Sequence, residues 1–193
     1  MSSTNRSGQH YIERKEISDY YITPVNKIED FLKEFIKYEK LTDDKILDPC
    51  AGGDNLHPMS YPTAIQNILH MNVDTIDIRE DSLANLKMDY LNYNVKDKYN
   101  IIITNPPFVL AKEIINKALD DVKENGFVIM LLRLNYLGSK DRKILWDKQL
   151  AKYIFVHHRR ISFTDDGRTD SIEYAHFVWQ KGYYPEFSQL KVI

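Results

Sequence analysis

The tetrapeptide Asn105-Pro106-Pro107-Phe108 brings together residue types that could do chemistry. A proline fixes its own φ, donates no hydrogen bond and keeps the preceding residue out of the helical region, so two in a row make a stiff corner. The corner presents the Asn105 amide oxygen beside the Pro106 carbonyl. Two acceptors on so short and rigid a segment can take both hydrogens of one –NH2 group. Phe108 offers a flat face for a planar ring to stack on. The unit reads as a receptor for an amino group on a flat heterocycle. The plainer alternative is a strand-end turn in which Phe108 plugs the core.

Three acids have a related placement. Asp48, Asp77 and Asp89 each stand at or just after a short apolar run, and Asn105 follows another. Ligands of open α/β sheets sit beyond the carboxyl ends of the strands, where such residues would gather. Gly52 and Gly53 follow Asp48 and let a backbone approach a ligand closely.

The elements that must position these groups can be read from periodicity. Residues 26–40 place Ile28, Phe31, Leu32, Phe35 and Ile36 at helical spacing. Residues 45–48 and 73–78 predict the first two strands, with an irregular stretch after the first and a helix starting near Pro62. A short third strand or turn runs to Asp89. Residues 99–104 predict the next strand and 108–126 a helix closed by Asn125-Gly126. The run 126–134 is continuously apolar, as a central strand buried on both faces should be. Residues 139–150 predict a basic amphipathic helix. Two late strands, 152–158 and 173–182, flank a polar loop with turn residues at Asp165, Asp166 and Gly167. Alternating strands and helices followed by paired strands predict an α/β sheet with an antiparallel C-terminal hairpin at one edge.

Composition narrows the function classes. The chain has 193 residues and a net charge of −2, which argues against an indiscriminate nucleic-acid binder. The charge is uneven, however. Residues 133–168 carry 9 basic and 4 acidic side chains, a candidate phosphate-facing surface, while 1–132 carry 15 basic and 21 acidic. One cysteine, Cys50, excludes an internal disulfide and a Cys-based zinc site and suits a reducing, cytoplasmic setting. His157 and His158 are adjacent, face opposite ways on a strand and make a poor metal pair, so no metal is expected. No apolar run is long enough to span a membrane. Residues 1–19 read as a mobile arm and 20–193 as one domain, with no room for a separate target-recognition domain.

NPPF resembles the catalytic motif of class I S-adenosylmethionine-dependent methyltransferases that act on the exocyclic N6 amine of adenine in DNA. The supporting segments lie in that family's order: YITP (21–24), DPCAGG (48–53), TIDI (75–78) and KMDYL (87–91). The resemblance implies a Rossmann-like, mostly parallel sheet with helices on both faces, and S-adenosyl-L-methionine as cofactor. It implies cofactor contacts from Tyr21, Thr23, Pro24, Asp48, Cys50, Ala51, Gly52, Asp77, Ile78, Asp89 and Tyr90, with Asp77 at the ribose hydroxyls and Asp89 at the adenine. Catalysis falls to Asn105, Pro106, Pro107 and Phe108 acting on a base flipped out of the helix. DNA is the implied partner. Lys140, Arg142, Lys143, Arg159, Arg160 and Arg168 are the candidates to contact it, through phosphate more often than base edges. A homodimer mate or a partner subunit could supply target recognition. The size suits an enzyme of a bacterial or phage-infected cell.

The chain departs from the family's common Gly-x-Gly after DPxx. Asp54 follows Gly52-Gly53, and Pro58 and Pro62 delay the helix. Asp54 could pair with the cofactor's amino group or cap a turn. Related motifs also occur in enzymes that methylate RNA or a protein glutamine amide. A non-catalytic subunit that keeps the fold is the alternative from another class.

Overall fold

The computed structural model describes residues 21–41, 45–164, 167–169 and 171–193. The arm expected over 1–19 and the turn at Asp165-Asp166 lie outside the described residues. In chain order the elements are α1 (Val25–Phe35), β1 (Ile46–Asp48), α2 (Ser60–Leu69), β2 (Val73–Asp77), β3 (Leu86–Lys87), β4 (Ile101–Thr104), α3 (Ala111–Asp121), β5 (Phe127–Arg133), α4 (Lys143–Lys148), β6 (Tyr153–Val156), β7 (Tyr174–Gln180) and β8 (Gln189–Val192). Single 3-10 turns stand at Tyr90–Asn92, Phe108–Leu110 and Leu134–Leu137.

The strands form one sheet in the order β3-β2-β1-β4-β5-β7-β6-β8. All neighbours are parallel except where β7 runs antiparallel between β5 and β6. Strands β1 to β6 therefore end at one rim, where Asp48, Asp77, Thr104 and Arg133 close β1, β2, β4 and β5. The expected hairpin of 152–158 and 173–182 is present, but it is not the edge. β8 lies outside it, parallel to β6 and exposed at all four residues.

The apolar run of β5 is explained by burial on both faces. Phe127 and Ile129 pack with Ile101 and Ile103 of β4 against α1 and α2, through Ile28, Phe31, Phe35 and Ile65. Val128, Met130 and Leu132 point the other way, with Ile102, toward α3 and Leu145 of α4. Helices thus cover both faces. Trp179 is fully buried and stacks with half-buried Trp146 at 5.9 Å. α4 is much shorter than the expected helix over 139–150. Arg142 explains part of this: its guanidinium donates to the carbonyls of Tyr136 and Gly138 at 2.8 and 2.7 Å, which holds 134–142 as a turn. Likewise α3 ends at Asp121. Asn125, in the left-handed region at φ 63, belongs to the turn that leads into β5. Gly126 follows it, where an added Cβ would meet the Asn100 carbonyl at 2.6 Å.

Candidate functional site

A cavity of about 320 Å³ opens on the rim between the ends of β1, β2 and β4. It joins the two halves that the motifs describe. Tyr21, Thr23, Cys50, Ala51, Gly52, Asp77, Ile78, Asp89 and Tyr90 line it, as do Asn105, Pro106 and Pro107. Pro24, Asp48 and Phe108 do not. Pro24 precedes α1 and its carbonyl accepts the Lys27 N–H at 3.0 Å.

Asp48 is fully buried behind the wall. One oxygen accepts the Cys50 N–H at 3.2 Å and the other has no partner. Burial raises its carboxyl to about 7, and the neighbouring Asp77 adds to that rise. Asp77 pins the loop that follows β1. Its two oxygens accept the Gly52 N–H at 2.7 Å and the Arg79 N–H at 2.8 Å. Each carboxylate oxygen has a second lone pair, so the side chain can still face the cavity as an acceptor. Gly52 and Gly53 take φ of 62 and 73, and a Cβ on Gly53 would stand 2.8 Å from Met59 Cγ. Only glycine fits there at no cost. Asp89 caps the 3-10 turn after it, accepting the Leu91 N–H at 2.9 Å. Ile78 is half exposed over the opening. Asp54 caps a turn: it accepts the Leu56 and His57 N–H groups, both at 2.8 Å, and is not part of the cavity wall.

At the other end, the Asn105 amide nitrogen donates to Thr23 Oγ1 at 3.0 Å. This turns the Asn105 oxygen away from Thr23, and that oxygen is buried with no partner. The Pro107 carbonyl accepts the Leu110 N–H at 2.9 Å, while among the described residues no donor reaches the Pro106 carbonyl. Two unsatisfied acceptors therefore sit on adjacent residues of a corner that lines the cavity. Such an arrangement can bind an –NH2 group by both hydrogens.

Phe108 stands beside this corner rather than on the cavity wall. Its ring lies near Tyr21 at 6.4 Å and Tyr174 at 6.1 Å, and Phe163 packs on Tyr174 at 4.9 Å. The Arg133 guanidinium lies over the Phe108 ring, 4.6 Å from its centroid.

Several wall residues carry no sequence signal of their own. Leu110 and Ile114 look like ordinary core positions of a helix and Tyr61 stands well beyond β1, whereas Arg79, just after β2, shares the strand-end placement of Asp89 and could have been named from it. The basic candidates lie on segments that leave the same rim, after β5 and after β6. They are not equivalent. Lys140 and Arg159 are exposed, with no ion pair among the described residues. Lys143 pairs with Asp147 at 2.6 Å, and Arg160 with Glu173 at 3.6 Å. Arg142 spends its donors on backbone carbonyls, and Arg168 is exposed.

Comparison with solved structures finds the same fold in proteins described as methyltransferases. A class I S-adenosylmethionine-dependent methyltransferase from Listeria monocytogenes, described as putative, superposes over 89% of this chain and 65% of its own, with TM-score 0.61 and 16% identity. An RNA methyltransferase from Pyrococcus horikoshii, also described as putative, covers 86% of this chain and 89% of its own, with TM-score 0.63 and 14% identity. The type IIG restriction endonuclease BpuSI covers 95% of this chain, which spans 28% of that protein, with TM-score 0.61 and 12% identity. No protein-family model and no curated protein sequence matches the chain. No helix among the described residues is long and apolar enough to cross a membrane.

Proposed function

We propose that this chain is an S-adenosylmethionine-dependent methyltransferase acting on the N6 amine of adenine in DNA. The observation that carries the reading is the pair of unsatisfied acceptors, the Asn105 oxygen and the Pro106 carbonyl, on a cavity shared with Asp77. The fold it shares with methyltransferases supports the reading, as does the basic segment that leaves the same rim.

The wall fits the cofactor. Asp77 and Asp89 offer carboxylate lone pairs for the ribose hydroxyls and an adenine amine. Ile78 and Leu91 offer apolar surface, and Gly52-Gly53 lets the backbone come close. Bound there, S-adenosylmethionine supplies an electrophilic methyl group. The protein's own part is positioning. Asn105 and Pro106 hold the two amine hydrogens of an extruded adenine, which draws the nitrogen lone pair out of conjugation with the ring. Thr23 fixes the Asn105 amide so that its oxygen, not its nitrogen, meets the substrate. The prolines freeze the corner before the substrate arrives, so little reorganisation is left for the reaction. Phe108 supplies the stacking surface beside it.

The reading is tested by incubating the protein with cofactor labelled in its methyl group and with DNA, RNA and protein acceptors, then digesting the products. Label in N6-methyladenine from DNA supports it. Label confined to RNA or to a protein side chain, or absent from all three, refutes it.

A further inference from the structure

We propose that Arg133 is the acceptor-side clamp of this enzyme. In this account it occupies the Phe108 platform until a base arrives, then pairs with a backbone phosphate of the extruded nucleotide. The inference rests on the nucleic-acid reading above and deepens it.

Position comes first. Arg133 is the last residue of β5, a strand otherwise wholly apolar. β5 runs parallel to β4 with Thr104 opposite Met130, so Arg133 stands on the rim beside the Asn105–Phe108 corner. A charge at the last position of a buried strand is the same signal that singled out Asp48 and Asp77.

The state of its guanidinium is the second observation. The side chain is half-buried, and its Nε is buried with no hydrogen-bond partner. Among the described residues it makes no ion pair. Its neighbours are rings: Phe108 beneath it, with Tyr174 directly opposite Arg133 on β7 and packed near Phe108. Glu173, the adjacent acid, points to Arg160 instead. A partly desolvated guanidinium held by one cation–π contact is poorly compensated, because that contact leaves its N–H donors unused. Most other basic side chains of the segment are better served, Arg142 by carbonyls and Lys143 by Asp147.

Geometry supplies the third step. Flat rings stack at roughly van der Waals separation. A base laid on the face that Arg133 covers must displace the guanidinium, since the two need the same space. The freed side chain then carries a planar fork of donors, which matches phosphate oxygens in pairs. An extruded nucleotide brings its phosphates along with its base, to the same rim. The contact carries no sequence information, so Arg133 sets affinity and register rather than target site.

The test uses the full chain and an adenine-containing duplex oligonucleotide, with Kd and steady-state kinetics measured across a salt series. Arg133→Gln should raise KM for DNA about tenfold or more and reduce the slope of log Kd against log salt by about 0.9, one phosphate's worth. Cofactor affinity should not change. Arg133→Lys keeps the charge but not the fork, so it should restore the slope while recovering KM only in part. If wild type methylates DNA and Arg133→Gln keeps the wild-type slope and KM, the clamp is refuted and the function stands. A variant that loses cofactor affinity with the slope unchanged refutes the clamp in favour of a structural role. If wild type methylates no nucleic acid, the functional reading fails and the clamp with it. Repeating the titration with a single-stranded RNA oligonucleotide separates the two sources of phosphate: the DNA reading expects the Arg133-dependent slope on DNA, and its presence on RNA alone overturns it.

Discussion

Replacing Thr23 by valine should damage transfer through Asn105, a residue 82 positions away in sequence. Thr23 is 2% exposed, and its hydroxyl accepts the Asn105 amide N–H at 3.0 Å. Valine has the same shape without that acceptor. The amide nitrogen is then left buried and unpaired, which costs about 1–3 kcal/mol. The side chain can relieve this by turning its nitrogen toward the cavity. That turn places a donor where the substrate amine also presents donors, so the relieved state cannot bind the acceptor. Either way the competent arrangement loses about 1–3 kcal/mol, and kcat/KM for the acceptor at saturating cofactor should fall roughly 5- to 150-fold. Thr23→Ser, which keeps the hydroxyl, should stay much closer to wild type. Steady-state methyl transfer to an adenine oligonucleotide is the assay. A Thr23→Val enzyme with wild-type kcat/KM for the acceptor would show that the Asn105 orientation does not depend on Thr23, and the mechanism would lose its anchoring step.

Two further outcomes follow from other parts of the molecule. Gly53→Ala should lower the melting temperature and weaken cofactor binding, because φ 73 disfavours any side chain and the new Cβ meets Met59 at 2.8 Å. A cost of about 1–2 kcal/mol is expected from the backbone alone, and calorimetry with unchanged affinity and stability would contradict it. Acidification should destabilise the fold through a buried pair, in which His157 Nε2 lies 2.9 Å from His176 Nδ1 and His176 Nε2 lies 3.1 Å from the Tyr61 hydroxyl. Burial pushes His157 down to about 4 and His176 well below the ordinary histidine range. Folded values below unfolded ones mean that their contribution is complete above about 6.5 and is lost as pH falls toward 4. Asp48, raised to about 7 by burial, opposes this: its contribution is complete at low pH and is lost as pH rises from about 4 to 7. Two histidines against one carboxyl leave a net loss of stability on acidification between about 6.5 and 4. His157→Asn should flatten the profile, and unfolding free energies that do not fall on acidification would count against the buried neutral pair.

Much of this architecture was legible because the signals were strong and local. The apolar runs of β4 and β5 and the helical spacing of α1 reflect burial on two faces or on one stripe, which sequence records directly. β8 was not legible. Its four residues are all exposed and main-chain pairing to β6 holds it, so the alternation of Leu190 and Val192 marks no buried face and is too short to stand out. α4 came out short because Arg142 satisfies carbonyls ahead of it, a contact between residues whose types alone suggest a solvated helix. In the site, residues at strand ends could be named in advance because topology sends them to one rim. What they do there could not. Asp77 holds the β1 loop, Asp89 caps a turn and Asp48 is sealed behind the wall, each through backbone N–H groups that any sequence carries. Phe108 stands outside the cavity because Pro107 and the 3-10 turn carry it toward Tyr174 and Arg133.

The proposed methyl transfer depends most on the Asn105 oxygen being a substrate acceptor and not a structural one. Its sharpest test is Asn105→Ala, measured twice on the same preparation: S-adenosylmethionine affinity by calorimetry, and methyl transfer to an adenine-containing duplex. Undiminished cofactor affinity with transfer reduced by at least about a thousandfold is the predicted result. Transfer at the wild-type rate would contradict it.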